Sequence, residues 1–97
     1  MSTVKLQDAT KAALHFLKEA YSGKEISDIL LEEVELSDDG SRWFITLGFN
    51  RLVEIPDAQF PFMGQAKLKR EFKTITVDSS TGVAVGMKMK GSTPVVE

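Results

Sequence analysis

Cysteine is absent from this 97-residue chain. That removes disulfides, thiolate nucleophiles and Cys-based zinc or iron–sulfur sites together. Long hydrophobic runs are missing as well, since none approaches the roughly 20 residues needed to cross a bilayer. The N-terminus is polar from Ser2 on, so no secretory core is expected and the expected location is cytoplasmic. Neither sign of charge dominates: 12 Lys+Arg stand against 14 Asp+Glu, a formal net charge of −2. No phosphate loop of the G-x-x-x-x-G-K-[ST] type occurs and no G-x-G-x-x-G follows a strand-like stretch, so a nucleotide enzyme has no support. What remains, 42% hydrophobic and 27% charged residues, is the composition of an ordinary soluble domain. The length allows one domain, with a radius of gyration of about 12–13 Å if it is compact.

Val4 to Tyr21 reads as one helix. Leu6, Ala9, Ala13, Phe16, Leu17 and Ala20 recur at three- and four-residue spacing and form a single apolar stripe. Gly23 stands just past the end, where a left-handed residue costs little. Such a helix has to lie on something, and four strand-like segments follow. Leu30–Leu36 alternates imperfectly, and the slip at Glu32-Glu33 predicts a bulge or a strand start there. Arg42–Asn50 alternates cleanly, with Trp43, Ile45, Leu47 and Phe49 on one side and Phe44, Thr46 and Gly48 on the other. Lys69–Asp78 is rich in β-branched residues. Val83–Lys90 alternates strictly, which predicts Val83, Val85, Met87 and Met89 on the helix side. Asp38-Asp39-Gly40 and Ser79-Ser80-Thr81-Gly82 supply hairpin turns. The tail, residues 91–97, is expected to fray. The simplest arrangement is an α+β domain: one N-terminal helix packed on a four-stranded antiparallel sheet. Residues 1–97 form its single domain.

Helix, acidic strand Leu31-Glu32-Glu33-Val34-Glu35-Leu36, strand Trp43-Phe44-Ile45-Thr46-Leu47, and the hairpin Val77-Asp78-Ser79-Ser80-Thr81-Gly82-Val83 come in an order that resembles PepSY-type domains. These are small cystatin-like modules found in peptidase propeptides and in many bacterial proteins. The resemblance implies the same α+β fold and a binding or inhibitory role. Fold analogy alone does not establish that role.

Chemistry-bearing residues are sparse. The single histidine, His15, has Lys11 and Glu19 at four-residue spacing on the helix. A general base oriented by Glu19 would still need a nucleophile or a group to polarise the substrate, and no motif supplies one. Catalytic residues are therefore not expected. Glu32, Glu33, Glu35, Asp38 and Asp39 form an acidic cluster, but neighbouring strand residues point to opposite faces, so no metal site is expected. No cofactor is expected either. Lys67, Lys69, Arg70, Lys73, Lys88 and Lys90 gather late in the chain. Without an aromatic stacking stripe they read as partners for the acidic first strand rather than as phosphate contacts, so neither nucleic acid nor membrane is an expected partner.

Two features point towards proteins. Residues 51–68 make a connection far longer than a hairpin needs, too apolar for simple disorder and stiffened by Pro56 and Pro61. Ile55, Phe60, Phe62 and Met63 then either insert into a partner or plug one end of the core. The second feature is the sheet face away from the helix. Strand parity puts Phe44, Thr46, Phe72, Thr74 and Thr76 there, with Ala84 and Gly86, a small and apolar patch suited to a homodimer contact. Together these favour a non-enzymatic interaction or regulatory module that binds a protein or a second copy of itself. The alternative is a small-molecule binder with a pocket between helix and sheet near His15.

Overall fold

The computed structural model describes residues 4–55 and 65–94. Helix α1, Leu6–Ala20, is followed by strands β1 (Ile26–Leu36), β2 (Arg42–Ile55), β3 (Gln65–Asp78) and β4 (Ala84–Pro94). The strands pair antiparallel in the order β1-β2-β3-β4, so the expected α+β architecture is the observed one. No helix among the described residues is long and apolar enough to cross a membrane.

The helix forms where its stripe predicts. Ala9, Ala13 and Leu17 are fully buried against Ile45, Leu47, Phe49, Ile75 and Val77 of the two central strands. Burying each of the large side chains contributes about 1.5–3 kcal/mol before chain entropy is subtracted. Small Ala9 and Ala13 let the helix lie close to the sheet. The Trp43 indole N–H donates to the Val4 carbonyl at 3.0 Å, and the Val4 N–H donates to the Ser79 carbonyl, so the segment before the helix is tied to the sheet. Both turns use glycine at positive φ, Gly40 at 73° and Gly82 at 75°, as Asp-Gly and Thr-Gly predict. The bulge expected at Glu32-Glu33 is present as a register shift between Leu31 and Glu33, and a second shift lies between Ser27 and Leu30, where Asp28 has φ 51°.

Several boundaries move outward. β1 begins at Ile26 rather than Leu30. β4 continues through Gly91 to Pro94, which pair with Phe72 to Lys69, so this part of the expected tail is strand. The largest change concerns the connection from 51 to 68. Arg51–Ile55 extends β2 and Gln65–Leu68 extends β3, in unbroken register from Arg51↔Lys69 to Ile55↔Gln65. Only residues 56–64 separate the two strands. Ile55 is therefore a strand residue, while Phe60, Phe62 and Met63 lie outside the described residues.

Parity also fails in β4. A register shift between Thr76 and Val77 leaves Val85 as the extra residue, so Ala84 and Met87 face the core while Val85 does not. Val83, Val85 and Met89, expected under the helix, are 58, 60 and 54% exposed.

These long strands give the molecule its shape. Fourteen residues of β2 span about 46 Å, whereas the 15-residue helix spans about 22 Å. The sheet thus runs well past its cover. The radius of gyration is 16.1 Å and the extents are 60 × 23 × 18 Å, not the compact value expected.

Candidate functional site: the junction of body and arm

The helix ends at Tyr21, and the body of the protein ends at nearly the same level. Ile26 opens β1 opposite Arg51, and Pro94 closes the described part of β4 opposite Lys69. Because Arg51 and Lys69 are themselves partners, the described parts of both outer strands reach the same cross-strand rung. Beyond it, among the described residues, only a two-stranded ribbon remains: Leu52–Ile55 with Gln65–Leu68. We call this ribbon the arm. Leu52 and Leu68 are paired directly across it and are both exposed.

A buried polar group marks the junction. Glu71 sits opposite Phe49, in phase with Ile75 and Val77, and is 1% exposed. Its Oε1 accepts from Arg51 Nε at 2.9 Å and Nη2 at 2.7 Å, and its Oε2 accepts from the Tyr21 hydroxyl at 3.3 Å. The Tyr21 ring stands edge-on to Phe49 with centroids 5.1 Å apart. One carboxylate thereby ties together the helix end, β2 and β3. Burial pushes the Glu71 carboxyl up. The hydrogen bonds and charge of Arg51, with smaller help from Tyr21 and Lys73, outweigh that and hold it below its ordinary value. The Tyr21 phenol is pushed up by burial first, then by the Glu71 charge and hydrogen bond, with Arg51 partly opposing.

Two open clefts flank this junction. One, of about 550 Å³, is lined by Lys24, Glu25, Arg51, Leu52 and Val53; the other, of about 340 Å³, shares Lys24, Glu25 and Leu52 with it and is completed by Ile26, Ser27, Asn50 and Leu68. Neither reaches His15, whose side chain is 77% exposed on the helix and lies 3.5 Å from Glu19. A pocket between helix and sheet near His15 therefore has no counterpart in these two clefts. Among the described residues no three His or carboxylate side chains converge as a metal site would need. In the acidic turn, the Asp39 carboxylate accepts from the Ser41 hydroxyl and N–H and from the Ser37 hydroxyl, which lowers its pKa to about 2.

The face away from the helix holds Phe44, Thr46, Phe72, Thr74 and Thr76 together, as parity predicts, with Thr46 and Thr74 sharing a hydroxyl hydrogen bond of 2.9 Å. It is not a bare patch. The sheet curls enough for Glu33 of β1 to meet Lys90 of β4 at 2.5 Å, across both central strands. Glu32 meets Arg70 of β3 at 2.9 Å over Gly48, and a Cβ on Gly48 would lie 2.8 Å from the Arg70 guanidinium. Arg70 also covers the Phe72 ring at 5.7 Å and donates to Asn50 and to the Asp28 carbonyl. Thr46 and Gly48 are buried beneath these side chains. The pairing of late basic residues with the acidic strand is thus observed for Arg70 and Lys90. Phe44, Phe72, Thr74 and Thr76 are only half-exposed.

Sequence reasoning missed Glu71, Arg51 and Tyr21. A signal was there: Glu71 is a lone acid in the core phase of its strand, and Arg51 continues the Trp43–Phe49 phase. No family model, curated protein or solved structure matches the chain.

Proposed function

We propose that the chain is a non-enzymatic protein-interaction module that engages its partner with the arm. The observation that carries this reading is the rung at Arg51 and Lys69, beyond which, among the described residues, neither the helix nor an outer strand flanks the ribbon, and Leu52 and Leu68 stand side by side and exposed. A two-stranded ribbon is marginal in water by itself. An exposed apolar pair on such a ribbon gains order and burial from a second surface. From Leu52 to Leu68 there are one Lys and two Asp/Glu, so the contact the arm offers is apolar rather than electrostatic. Ile55, and beyond the described residues Phe60, Phe62 and Met63, belong to the same segment and extend the apolar contact. A regulatory or inhibitory role of the PepSY kind remains within this proposal, as does a cytoplasmic setting.

The test is an armless variant in which Arg51 joins Lys69 through a two-residue Asn-Gly turn. It should keep the core and its melting temperature. In parallel captures from a native extract, the full chain should retain a stoichiometric protein that the armless variant loses. Retention by both, or unfolding of the variant, would contradict the reading. The cleft that Arg51 lines supports a second reading, a small-molecule site at the junction. A ligand carried through native mass spectrometry and lost on Arg51→Ala would support it.

A further inference from the structure

Nine large apolar side chains are exposed among the described residues. Six of them lie along the outer strands: Leu30, Leu31 and Leu36 on β1, Val83, Val85 and Met89 on or beside β4. Among the described residues each outer strand pairs on one side only, so each presents a row of unpaired backbone donors and acceptors. The two edges differ in charge. β1 carries Asp28, Glu32, Glu33 and Glu35 and no cation; β4 carries Lys88 and Lys90 and no anion. Two β1 edges brought together would oppose carboxylates, and two β4 edges would oppose ammonium groups. Only β4 against β1 brings unlike charges together. Direction agrees as well: the strands alternate, so the β1 of a second chain beside β4 continues the antiparallel order.

The irregularities narrow the register. β1 is regular from Glu33 to Leu36, after its last shift, and β4 is regular from Gly86 to Met89, with Lys90 as the bulged residue. Placing Glu35 opposite Lys88 puts Glu33 opposite Lys90 on the same face. It also sets Val34 opposite Met89 and Leu36 opposite Met87 on the helix side. Glu35 and Lys88 are exposed, and neither has an ion-pair partner among the described residues. Lys90 already holds Glu33 of its own chain.

We propose that the β4 edge of one chain adds to the β1 edge of a second copy, head to tail, with Lys88 facing Glu35. Like charges oppose each edge pairing with its own kind, and unlike charges favour this one pairing. The contact is heterologous, so it continues past two chains into an open chain or a larger ring. It involves neither the arm nor its partner.

Sedimentation velocity over a wide concentration range tests it. In low salt the wild-type mass should climb with concentration past that of two chains, and should fall back in high salt. Lys88→Glu and Glu35→Lys should each weaken association at least tenfold. An equimolar mixture of the two, or the double variant, should recover it. Thermal melts of each variant should match wild type, since both positions are exposed. The armless variant should associate like wild type, which separates failure here from failure of the arm reading. A wild type that stays monomeric throughout overturns the proposal. So does association that survives both single reversals, or that stops at a closed dimer.

Discussion

The two ends of the sheet are built from the same pair of strands and behave differently. In the body, β2 and β3 carry Ile45, Leu47, Phe49, Ile75 and Val77 beneath the helix, flanked by a strand on either side. In the arm the same strands continue in register, but nothing described covers either face. Backbone pairing is equal in both halves. Tertiary burial is not, and burial rather than ladder hydrogen bonds sets most of the stability difference. The boundary between them is held by one buried carboxylate, Glu71.

Core truncation should separate the halves most sharply. Phe49→Ala is expected to cost about 3–5 kcal/mol in denaturant melts. Leu52→Ala and Leu68→Ala should change stability by less than about 0.5 kcal/mol, as surface positions do. Equal costs would merge arm and body into one cooperative unit.

Glu71→Ala should cost about 3 kcal/mol, because it strands the Arg51 guanidinium and empties a packed position. Arg51 keeps partial access to water, which holds the cost to the low end. The pH profile follows from the same group. Its folded pKa lies below the unfolded value, so its contribution is present above the unfolded pKa of about 4.3 and is lost as pH falls through the folded value. Asp39 and Asp78, also lowered, act in the same direction. The expected signature is therefore a shallower acid limb for Glu71→Gln than for wild type, not a flat one. An unchanged acid limb would remove Glu71 from the account.

Tyr21 titrates at the other end. Its folded pKa is raised, so its contribution is whole below the unfolded value of about 10 and is lost as pH climbs through the folded one. Tyr21→Phe should cost about 1 kcal/mol at neutral pH and should weaken the alkaline decline. The smallest effect belongs to the tie across the open face. Both ends of the Glu33–Lys90 pair are about half exposed, so Lys90→Ala should cost less than about 1 kcal/mol, and less again in salt.

Much of the body was legible because its signals are local. The stripe from Leu6 to Ala20 has the helical period, Trp43 to Phe49 has the strand period, and Gly40 and Gly82 stand where tight turns need positive φ. What failed depends on non-local facts. Phe60, Pro61 and Phe62 make residues 51–68 look like a loop, whereas ribbon pairing needs only that two chains lie side by side. The sequence Leu52-Val53-Glu54-Ile55 and Gln65-Ala66-Lys67-Leu68 carries no strict alternation to read. In β4 the bulge at Val85 reverses parity, and nothing in Val83 to Met89 announces it. Arg51 was hidden by the same loop boundary, whereas Glu71 already stood in the core phase of the expected strand Lys69–Asp78. Once β2 runs on, Arg51 falls into that phase as well and their meeting is forced. The face of Phe44, Thr46, Phe72, Thr74 and Thr76 was found by parity, but its covering by Glu32, Glu33, Arg70 and Lys90 arises from sheet curl, which alternation does not encode.

The most direct test of body against arm is native-state hydrogen exchange on the isolated monomer. Amides of Ile45 to Phe49 and of Ile75 should exchange only through global unfolding. Those of Leu52 to Ile55 and Gln65 to Leu68 should exchange through local opening, orders of magnitude faster and independently of Phe49→Ala. Arm amides as protected as those of the core, and falling with the core in Phe49→Ala, would contradict the account.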